Sequence, residues 1–340
     1  MQFCSIIKLG EKHGGNMDII KKYKQVKKLI KKSSSIFIMG HMGLDLDAIG
    51  SALALYKIIE VQNKNFYIVL NDKKHEAGVA KVLNQVKDNV NFIDSKKVDS
   101  LLGNNDLLIV VDVNKPYIMQ DEKLVSKFDK IVLLDHHEKT TDTIDSTVEI
   151  IHPRAGSTSE IVVEYMHYFN YTVPSLFATF LLSGITLDTN DFTSKTTSMT
   201  HYAAYSLIEM GASVKEVNVL LKQDIEEYIL RQKVITDVEV LYKTVAFAKG
   251  SNRVIYKREE LAKIADTLLE FNNIETSYVI GKLSDNEIGI SARSSGTVNI
   301  GDVLSLLGGG GDRYDAACIL TDVSLKEAEE KLKKILGEIK

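Results

Sequence analysis

Ile36-Phe37-Ile38-Met39-Gly40-His41-Met42-Gly43-Leu44-Asp45-Leu46-Asp47 joins an unbroken apolar run to three side chains, His41, Asp45 and Asp47, of the kinds that ligate metals. The run follows Ser33-Ser34-Ser35 with no polar interruption, as a strand covered on both faces of a parallel sheet does. Gly40 ends it. From Ala48 onward the apolar positions 49, 52, 53, 56 and 59 keep helical spacing, which predicts a helix. The three polar residues therefore fall on a strand-to-helix loop at the carboxyl end of a strand, where open α/β sheets place their ligands. On these residues alone, Asp47 as a helix cap and His41 as a surface residue fit equally well.

Working outward, strands are expected at Phe66 to Leu70, around Phe92-Ile93, at Leu107 to Val111 and at Ile131 to Leu134, with helical stretches such as Gly78 to Val86 between them. Such alternation predicts an α/β fold with a mostly parallel sheet and helices on both faces. From Ser157 the pattern turns helical, through Ile161 to Phe169, Ser175 to Leu187, Ser198 to Met210 and Ser213 to Leu230. A smaller α/β C-terminal domain is expected to follow, with strands at Leu241 to Ala248, Ser277 to Ile280 and Ile288 to Ser291 and helices at Arg258 to Phe271 and Leu325 to Leu336. The expected division is an N-terminal segment and basic helix at 1–32, a metal-binding catalytic domain at 33–234 and a substrate-binding domain at 238–340. The boundary falls between Gln232 and Asp237, in a helical connector.

The chain has 340 residues and a net charge of -4, from 42 Lys+Arg against 46 Asp+Glu, so no overall basic field argues for long nucleic acids. Two cysteines, Cys4 and Cys318, exclude a disulfide framework and suit a reducing compartment. Met1 to Lys8 lacks a basic n-region, and the apolar run from Phe177 to Ile185 is far shorter than the roughly 20 residues of a membrane span. A soluble, cytoplasmic protein is expected. Between Met17 and Lys32, Ile19, Ile20, Tyr23, Val26 and Ile30 share one helix face and seven lysines occupy the rest. Such a helix can lie on membranes or nucleic acid, or present a solvated face while packing against the sheet.

Three further element ends carry metal-ligand chemistry. The run Leu107 to Val111 ends in Asp112, Ile131 to Leu134 ends in Asp135-His136-His137, and the apolar helix through Leu187 delivers Asp188. An Asp/His set without cysteine selects Mn²⁺, Fe²⁺ or Mg²⁺ over structural zinc. One carboxylate shared by two ions about 3.5–4 Å apart is the arrangement that activates water in phosphoryl transfer. Singly, each Asp could cap a turn and each His could be a core residue. Their joint placement after apolar runs favours a metal site. Near the C-terminus, Gly308-Gly309-Gly310-Gly311 lets backbone N–H groups approach a phosphate or a base, and Arg293 suits either bidentate phosphate contact or a surface ion pair.

His41-x-x-x-Asp45-x-Asp47-Ala48-Ile49-Gly50-Ser51, Asp112, Asp135-His136-His137 and Gly184-Ile185-Thr186-Leu187-Asp188-Thr189 together resemble the four motifs of the DHH phosphoesterases. Ile290 to Asn299 and the glycine run resemble the associated C-terminal domain, so the likeness extends from about Met17 to Leu320. Thr189 to Thr196, Ala203 to Leu207 and Ala155 to Glu160 are similar to the cyclic-di-AMP phosphodiesterase branch of that family. The resemblance implies two Mn²⁺ ions, one on His41, Asp45 and Asp112 and the other on Asp47, Asp112, His136 and Asp188. His137 would orient a ligand or meet the phosphate. It further implies catalytic roles for Asp112, His137 and Asp188, and substrate contacts from His137, Arg293, Ser294, Ser295, Asn299, Gly308, Gly309, Gly310, Gly311, Asp312 and Arg313.

On that resemblance the expected activity is manganese-dependent hydrolysis of cyclic-di-AMP to pApA by two-metal activation of water. The alternatives are an oligoribonuclease and pAp phosphatase of the same family, or a non-catalytic cyclic-dinucleotide-binding module. A cyclic or short linear dinucleotide is the expected partner, and a homodimer is left open. Two departures stand out. Leu44 replaces the usual proline of the opening motif, and Asp312 stands where the family normally has a histidine. An ionised Asp only accepts hydrogen bonds and repels an anion, so Arg313 must compensate or Asp312 must serve a turn instead. The membrane and sensory modules usual in that branch have no counterpart in this sequence.

Overall fold

The computed structural model describes residues 16–60, 64–73 and 75–338, so Cys4 and the part of the expected 1–32 segment before residue 16 lie outside the described residues. It divides into two compact units after Lys222.

Among the described residues the first unit has six strands, β1 (Ser35–Met39), β2 (Asn65–Val69), β3 (Phe92–Ile93), β4 (Leu107–Val111), β5 (Ile131–Asp135) and β6 (Val148–Ile151). Every pairing among them is parallel, in the order β3-β2-β1-β4-β5-β6. The central strands β1, β4 and β5 are buried at every position, which is why they read as continuous apolar runs. The chain steps outward from β1 to β3 and then returns to β4, so the strand order reverses between β1 and β4. His41 follows β1 and Asp112 follows β4, which puts both at the crevice where such a sheet binds ligands.

The helices of this unit are α1 (Asn16–Lys32), α2 (Leu46–Glu60), α3 (Ala77–Val86), α4 (Val98–Leu101), α5 (Thr158–Phe169), α6 (Ser175–Asp188), α7 (Ser198–Glu209) and α8 (Val214–Leu220). Both sheet faces are covered, but unequally. Ile36, Ile38, Ile109 and Leu134 pack with residues of α1, α2, α3, α5, α6 and α7. Phe37, Met39, Val110 and Leu133 pack instead under Val98 of α4 and under Met119, Leu124 and Phe128 of the segment between β4 and β5. Helix α2 is buried nearly all round, between the sheet and α6. The basic helix α1 buries Tyr23, Val26 and Ile30, and its Lys27 ammonium lies 4.1 Å from the Phe169 ring centroid. No helix among the described residues is long and apolar enough to cross a membrane.

The helix expected from Ser213 to Leu230 is two helices, α8 and α9 (Ile225–Thr236). Asp224 caps the second, accepting from the N–H groups of Glu226 at 2.8 Å and Glu227 at 3.2 Å. The second unit contains α9, the strands β7 (Glu239–Leu241), β8 (Val245–Lys249), β9 (Thr276–Lys282), β10 (Glu287–Ser294), β11 (Gly310–Gly311) and β12 (Asp315–Thr321), and the helices α10 (Arg258–Leu269), α11 (Ile300–Ser305) and α12 (Leu325–Glu338). Its sheet runs β11-β12-β10-β9-β8-β7 and is antiparallel except between β8 and β9. The single strand expected from Leu241 to Ala248 is the β7–β8 hairpin, turned by Tyr242 and Lys243 in the left-handed region. Alternation decides its two cores. Ile280, Ile290 and Ala292 face α11 and α12, while Val279 and Ala248 face α9 and α10.

Candidate metal centre

The loop after β1 is held from outside by the segment that follows β4. Met42 N–H donates to Ile118 O at 2.7 Å, Gln120 N–H to Gly40 O at 3.1 Å and Gln120 Nε2 to His41 O at 2.7 Å. His41 Nδ1 lies 2.8 Å from Met42 O, and a carbonyl only accepts, so Nδ1 carries a proton. Nε2 then faces inward, 3.7 Å from Asp45 Oδ2 and 3.5 Å from Asp112 Oδ2. Fixing one ring nitrogen in this way presents the other as a ligand.

Asp45, not Asp47, caps α2. Its Oδ1 accepts from the N–H groups of Asp47 and Ala48, each at 2.9 Å, which leaves Oδ2 toward His41. Asp47 is fully buried one residue into the helix, and its carboxylate accepts from the N–H of Thr158 at 2.7 Å and of Ser159 at 2.8 Å. The N-terminus of α5 therefore holds this anion, as the orphan donors and dipole of a helix start favour. Helices α2 and α6 cross at glycines. A β-carbon on Gly50 would lie 2.7 Å from Phe180 O, and one on Gly184 would lie 2.7 Å from Asp47 Oδ1. This close approach brings the start of α2 beside Asp188 at the end of α6.

Asp112 adopts φ 59° immediately after β4, an uncommon conformation for a residue with a β-carbon, while its N–H donates to Leu134 O at 2.9 Å. Its Oδ1 accepts from Thr158 Oγ1 at 3.0 Å and lies 3.4 Å from His136 Nε2. His136 Nε2 also lies 3.1 Å from Asp188 Oδ2, yet it is buried without a hydrogen bond of acceptable geometry. One donor atom from each of Asp47, Asp112, His136 and Asp188 lies within 4.8 Å of the others, and the same holds for His41, Asp45 and Asp112. The two sets share Asp112. His137 is more than half exposed, with Nδ1 2.8 Å from Asp135 Oδ1, and it forms a third group with Asp112 and His136.

The electrostatics are those of a site with excess negative charge. Burial pulls the His41 and His136 imidazoles down, but the carboxylates facing them more than reverse this and push them up to about 11 and about 12. Burial also works against ionised Asp112, and the histidines around it outweigh that and hold it well below the usual range. Asp47 is raised by burial and by repulsion from Asp188 and Asp112. Asp188 is pushed up to about 6, chiefly by burial. A divalent cation would relieve this repulsion and supply the partner that His136 Nε2 lacks.

Residues 35–185 match the DHH family, N-terminal domain, and residues 237–340 match the DHHA1 domain. The chain belongs to the DHH family. It is 35% identical over 320 residues, 92% of this chain and 49% of the relative, to the cyclic-di-AMP phosphodiesterase GdpP of Geobacillus thermodenitrificans. It is 25% identical over 303 residues, 86% of this chain and 91% of the relative, to the bifunctional oligoribonuclease and PAP phosphatase NrnA of Mycoplasma genitalium. The chain spans about half the length of the cyclic-di-AMP phosphodiesterases it matches. An exopolyphosphatase-related protein of Bacteroides fragilis shares the fold, with a TM-score of 0.80 at 19% identity over 94% of this chain and 96% of that one.

In this DHH protein the donor set is all oxygen and imidazole, a set that suits a hard or borderline divalent cation, and the orphaned His136 Nε2 points into it. The residues therefore fit a metal. The DHHA1 residues singled out from the sequence are mostly engaged locally. Arg293 pairs with Asp266 at 2.6 Å and Asp315 at 2.7 Å, the surface ion pair rather than a free phosphate fork. Ser294 Oγ donates to Val298 O at 2.8 Å, and Ser295 N–H donates to Glu275 O at 2.9 Å. Asn299 caps α11 through Gly301 N–H at 3.2 Å. Asp312 Oδ1 accepts from the N–H groups of Tyr314 at 2.7 Å and Asp315 at 2.9 Å, which is the turn role. Arg313 is exposed and donates to Gly296 O at 3.2 Å. Gly308 and Gly311 have φ 80° and 150°, and Gly309 abuts Ala317 O so closely that only glycine fits.

Spacing did not point to Thr158, Ser159 or Gln120. They act through hydrogen bonds to residues far off in sequence, such as the 111 positions between Asp47 and Thr158. For Thr158 and Ser159 the available signals were the likeness of Ala155 to Glu160 to the cyclic-di-AMP phosphodiesterase branch, which assigned no role to either residue, and the Ser157-Thr158-Ser159 run before a helix, which reads as a cap.

Proposed function

We propose that this chain is a phosphodiesterase that opens cyclic-di-AMP to linear pApA. The observation that carries the reading is the sharing of Asp112 between two donor sets, which is what a metal pair acting on one phosphate requires. His41, Asp45 and Asp112 would hold one ion and Asp47, Asp112, His136 and Asp188 the other, with Mn²⁺ the assignment that suits these donors. When bound, the ions supply Lewis acidity to the phosphate and lower the pKa of water beside it.

The chain's own residues do the rest. Asp135 accepts from His137 Nδ1–H, so Nε2 of the same ring faces outward. Burial lowers the basicity of His137, but Asp135 and Asp112 more than offset it and raise the imidazole above its ordinary value. In its protonated form His137 would donate from Nε2–H to a phosphate oxygen, or pass that proton to the departing ribose oxygen. Identity to GdpP over nine-tenths of this chain supports the cyclic dinucleotide as substrate. Likeness to NrnA supports a second reading in which the same centre cleaves pApA or dephosphorylates pAp.

The test is hydrolysis of cyclic-di-AMP by the purified chain across Mn²⁺, Mg²⁺, Fe²⁺ and Zn²⁺, with products resolved against pApA and AMP. Parallel reactions take pApA and pAp as substrates. Conversion that stops at pApA supports the first reading. Inert cyclic-di-AMP with rapid cleavage of pApA moves the chain to the second, and inactivity on all three overturns both.

A further inference from the structure

We infer that Thr158 is a positioning residue for the metal centre: its side-chain hydroxyl fixes the plane of the Asp112 carboxylate, so that one oxygen faces each donor set. The inference rests on the two-set reading of the centre and adds a residue that ligates nothing. Thr158 is fully buried at the start of α5, where Ser157 already supplies the cap by accepting from Glu160 N–H at 3.1 Å. The Thr158 backbone N–H is thereby free to hold Asp47 at 2.7 Å, while its hydroxyl reaches Asp112 Oδ1 at 3.0 Å. One residue thus holds carboxylates from two different elements.

Direction matters at Asp112. An ionised carboxylate only accepts, so the single hydroxyl proton must point to Oδ1. Oδ1 is the oxygen beside His136 Nε2, at 3.4 Å, whereas Oδ2 is the one beside His41 Nε2, at 3.5 Å. The two oxygens are chemically equivalent, so the plane is what matters: rotation about the last bond by less than a half-turn would carry both away from these rings, and the Thr158 hydrogen bond opposes it. That hydrogen bond occupies one lone-pair direction of Oδ1, and the other would remain for a cation held by Asp47, His136 and Asp188. Loss of the hydroxyl should therefore loosen that ion and spare the one on His41 and Asp45, an asymmetry that a space-filling role would not produce.

The experiment is Mn²⁺ titration of the wild-type chain, Thr158→Val, Thr158→Ala and Thr158→Ser, followed by the electron paramagnetic resonance of free Mn²⁺, with melting temperatures alongside. Hydroxyl-less variants should weaken one of two sites by roughly 10–100-fold, the usual effect of removing a partner that orients a ligand. Thr158→Ser should restore that site. Repeating the titration in a His41→Ala background, where only the Asp47 set remains, should show the weakened site directly. Unchanged affinities in both Val and Ala variants, equal weakening of the two sites, or failure of Ser to rescue would each overturn the inference. If Thr158→Val does not fold, the Ala and Ser pair decides. A wild-type chain that binds no Mn²⁺ would overturn the metal reading and this inference together, whereas normal binding with indifferent variants would overturn the inference alone.

Discussion

Gly184 and Asp47 are packed so closely that a β-carbon on Gly184 would fall 2.7 Å from both the Cα and the Oδ1 of Asp47, and 2.6 Å from Ser159 Oγ. The contact lies between α6 and the start of α2, and backbone on one side cannot give way as a flexible side chain would. Gly184→Ala should therefore push Asp47 off the N-terminus of α5. Overpacking of this kind costs about 1–3 kcal/mol. The expected result is a lower melting temperature together with weaker Mn²⁺ binding. Gly103→Ala, whose β-carbon would meet only ordinary contacts at 3.7 Å from Asp106, serves as the control and should change neither.

Metal binding should release protons. In the metal-free chain His41 and His136 are held up to about 11 and about 12, against burial, by the carboxylates they face, so both rings are charged at neutral pH. A ligating imidazole must be neutral on the atom it offers, so at pH 7 each ring has to give up a proton when a cation arrives. Asp188, at about 6, is already mostly ionised there. Affinity should accordingly rise with pH, and more steeply below pH 6, where Asp188 is protonated as well. Calorimetric titration at pH 7 in two buffers of different ionisation enthalpy should report net proton release as the centre fills. A release near zero would mean that these histidines are not ligands.

At Asp312 the structure separates turn chemistry from substrate chemistry. Its Oδ1 closes the β11–β12 turn by accepting from two backbone N–H groups, a role that a side-chain amide oxygen can also fill. Asp312→Asn should keep the melting temperature and, by removing a negative charge, tighten binding of an anionic nucleotide. Asp312→Ala should lose about 1 kcal/mol of stability, the usual net worth of such a hydrogen bond. Differential scanning calorimetry and nucleotide titration of the two variants check both statements. An Asn variant that destabilises as much as Ala would show that the charge, not the acceptor, makes the turn.

What could be read in the sequence follows from what each segment buries. Strands β1, β4 and β5 show as apolar runs because both of their faces are covered, and the polar residue after each run marks the crevice. Strand β6 was not anticipated, since Val-Glu-Ile-Ile is short and only half-buried on alternate positions. Strand β12 opens with Asp315-Ala316-Ala317-Cys318, four residues without a β-branched side chain, and reaches Ile319 and Thr321 only in its second half. The β7–β8 hairpin turns on Tyr242 and Lys243, neither of which carries a turn signal. The break before α9 hid behind unbroken helical spacing, although Asp224 caps it in the ordinary way. Within the candidate site the groups with metal chemistry stood out by residue type. The hydrogen bonds that aim them did not, because Thr158 and Gln120 act through partners brought near only by the fold.

Glu164 of α5 accepts from Tyr23 of α1 at 2.9 Å, and this pair should make stability depend on pH. Burial raises the carboxyl from its ordinary 4.5 to about 7, although the Tyr23 hydroxyl partly counters it and Glu160 adds repulsion. Tyr23 is itself raised well above its ordinary value by burial, so it stays neutral throughout this range. The folded chain therefore holds a proton on Glu164 that the unfolded chain has released between about pH 4.5 and about pH 7. Because the native state binds the extra proton, stability falls as pH rises through that window and levels off above it. Glu164→Gln keeps an acceptor for Tyr23 and removes the cost of burying the charge. At pH 8 it should be more stable than the wild-type chain by about 1–3 kcal/mol, and near pH 4 the difference should vanish. Urea denaturation of both chains at pH 4, 6 and 8 measures this directly, and a difference that does not change with pH would show that Glu164 is ionised at no cost in the folded state.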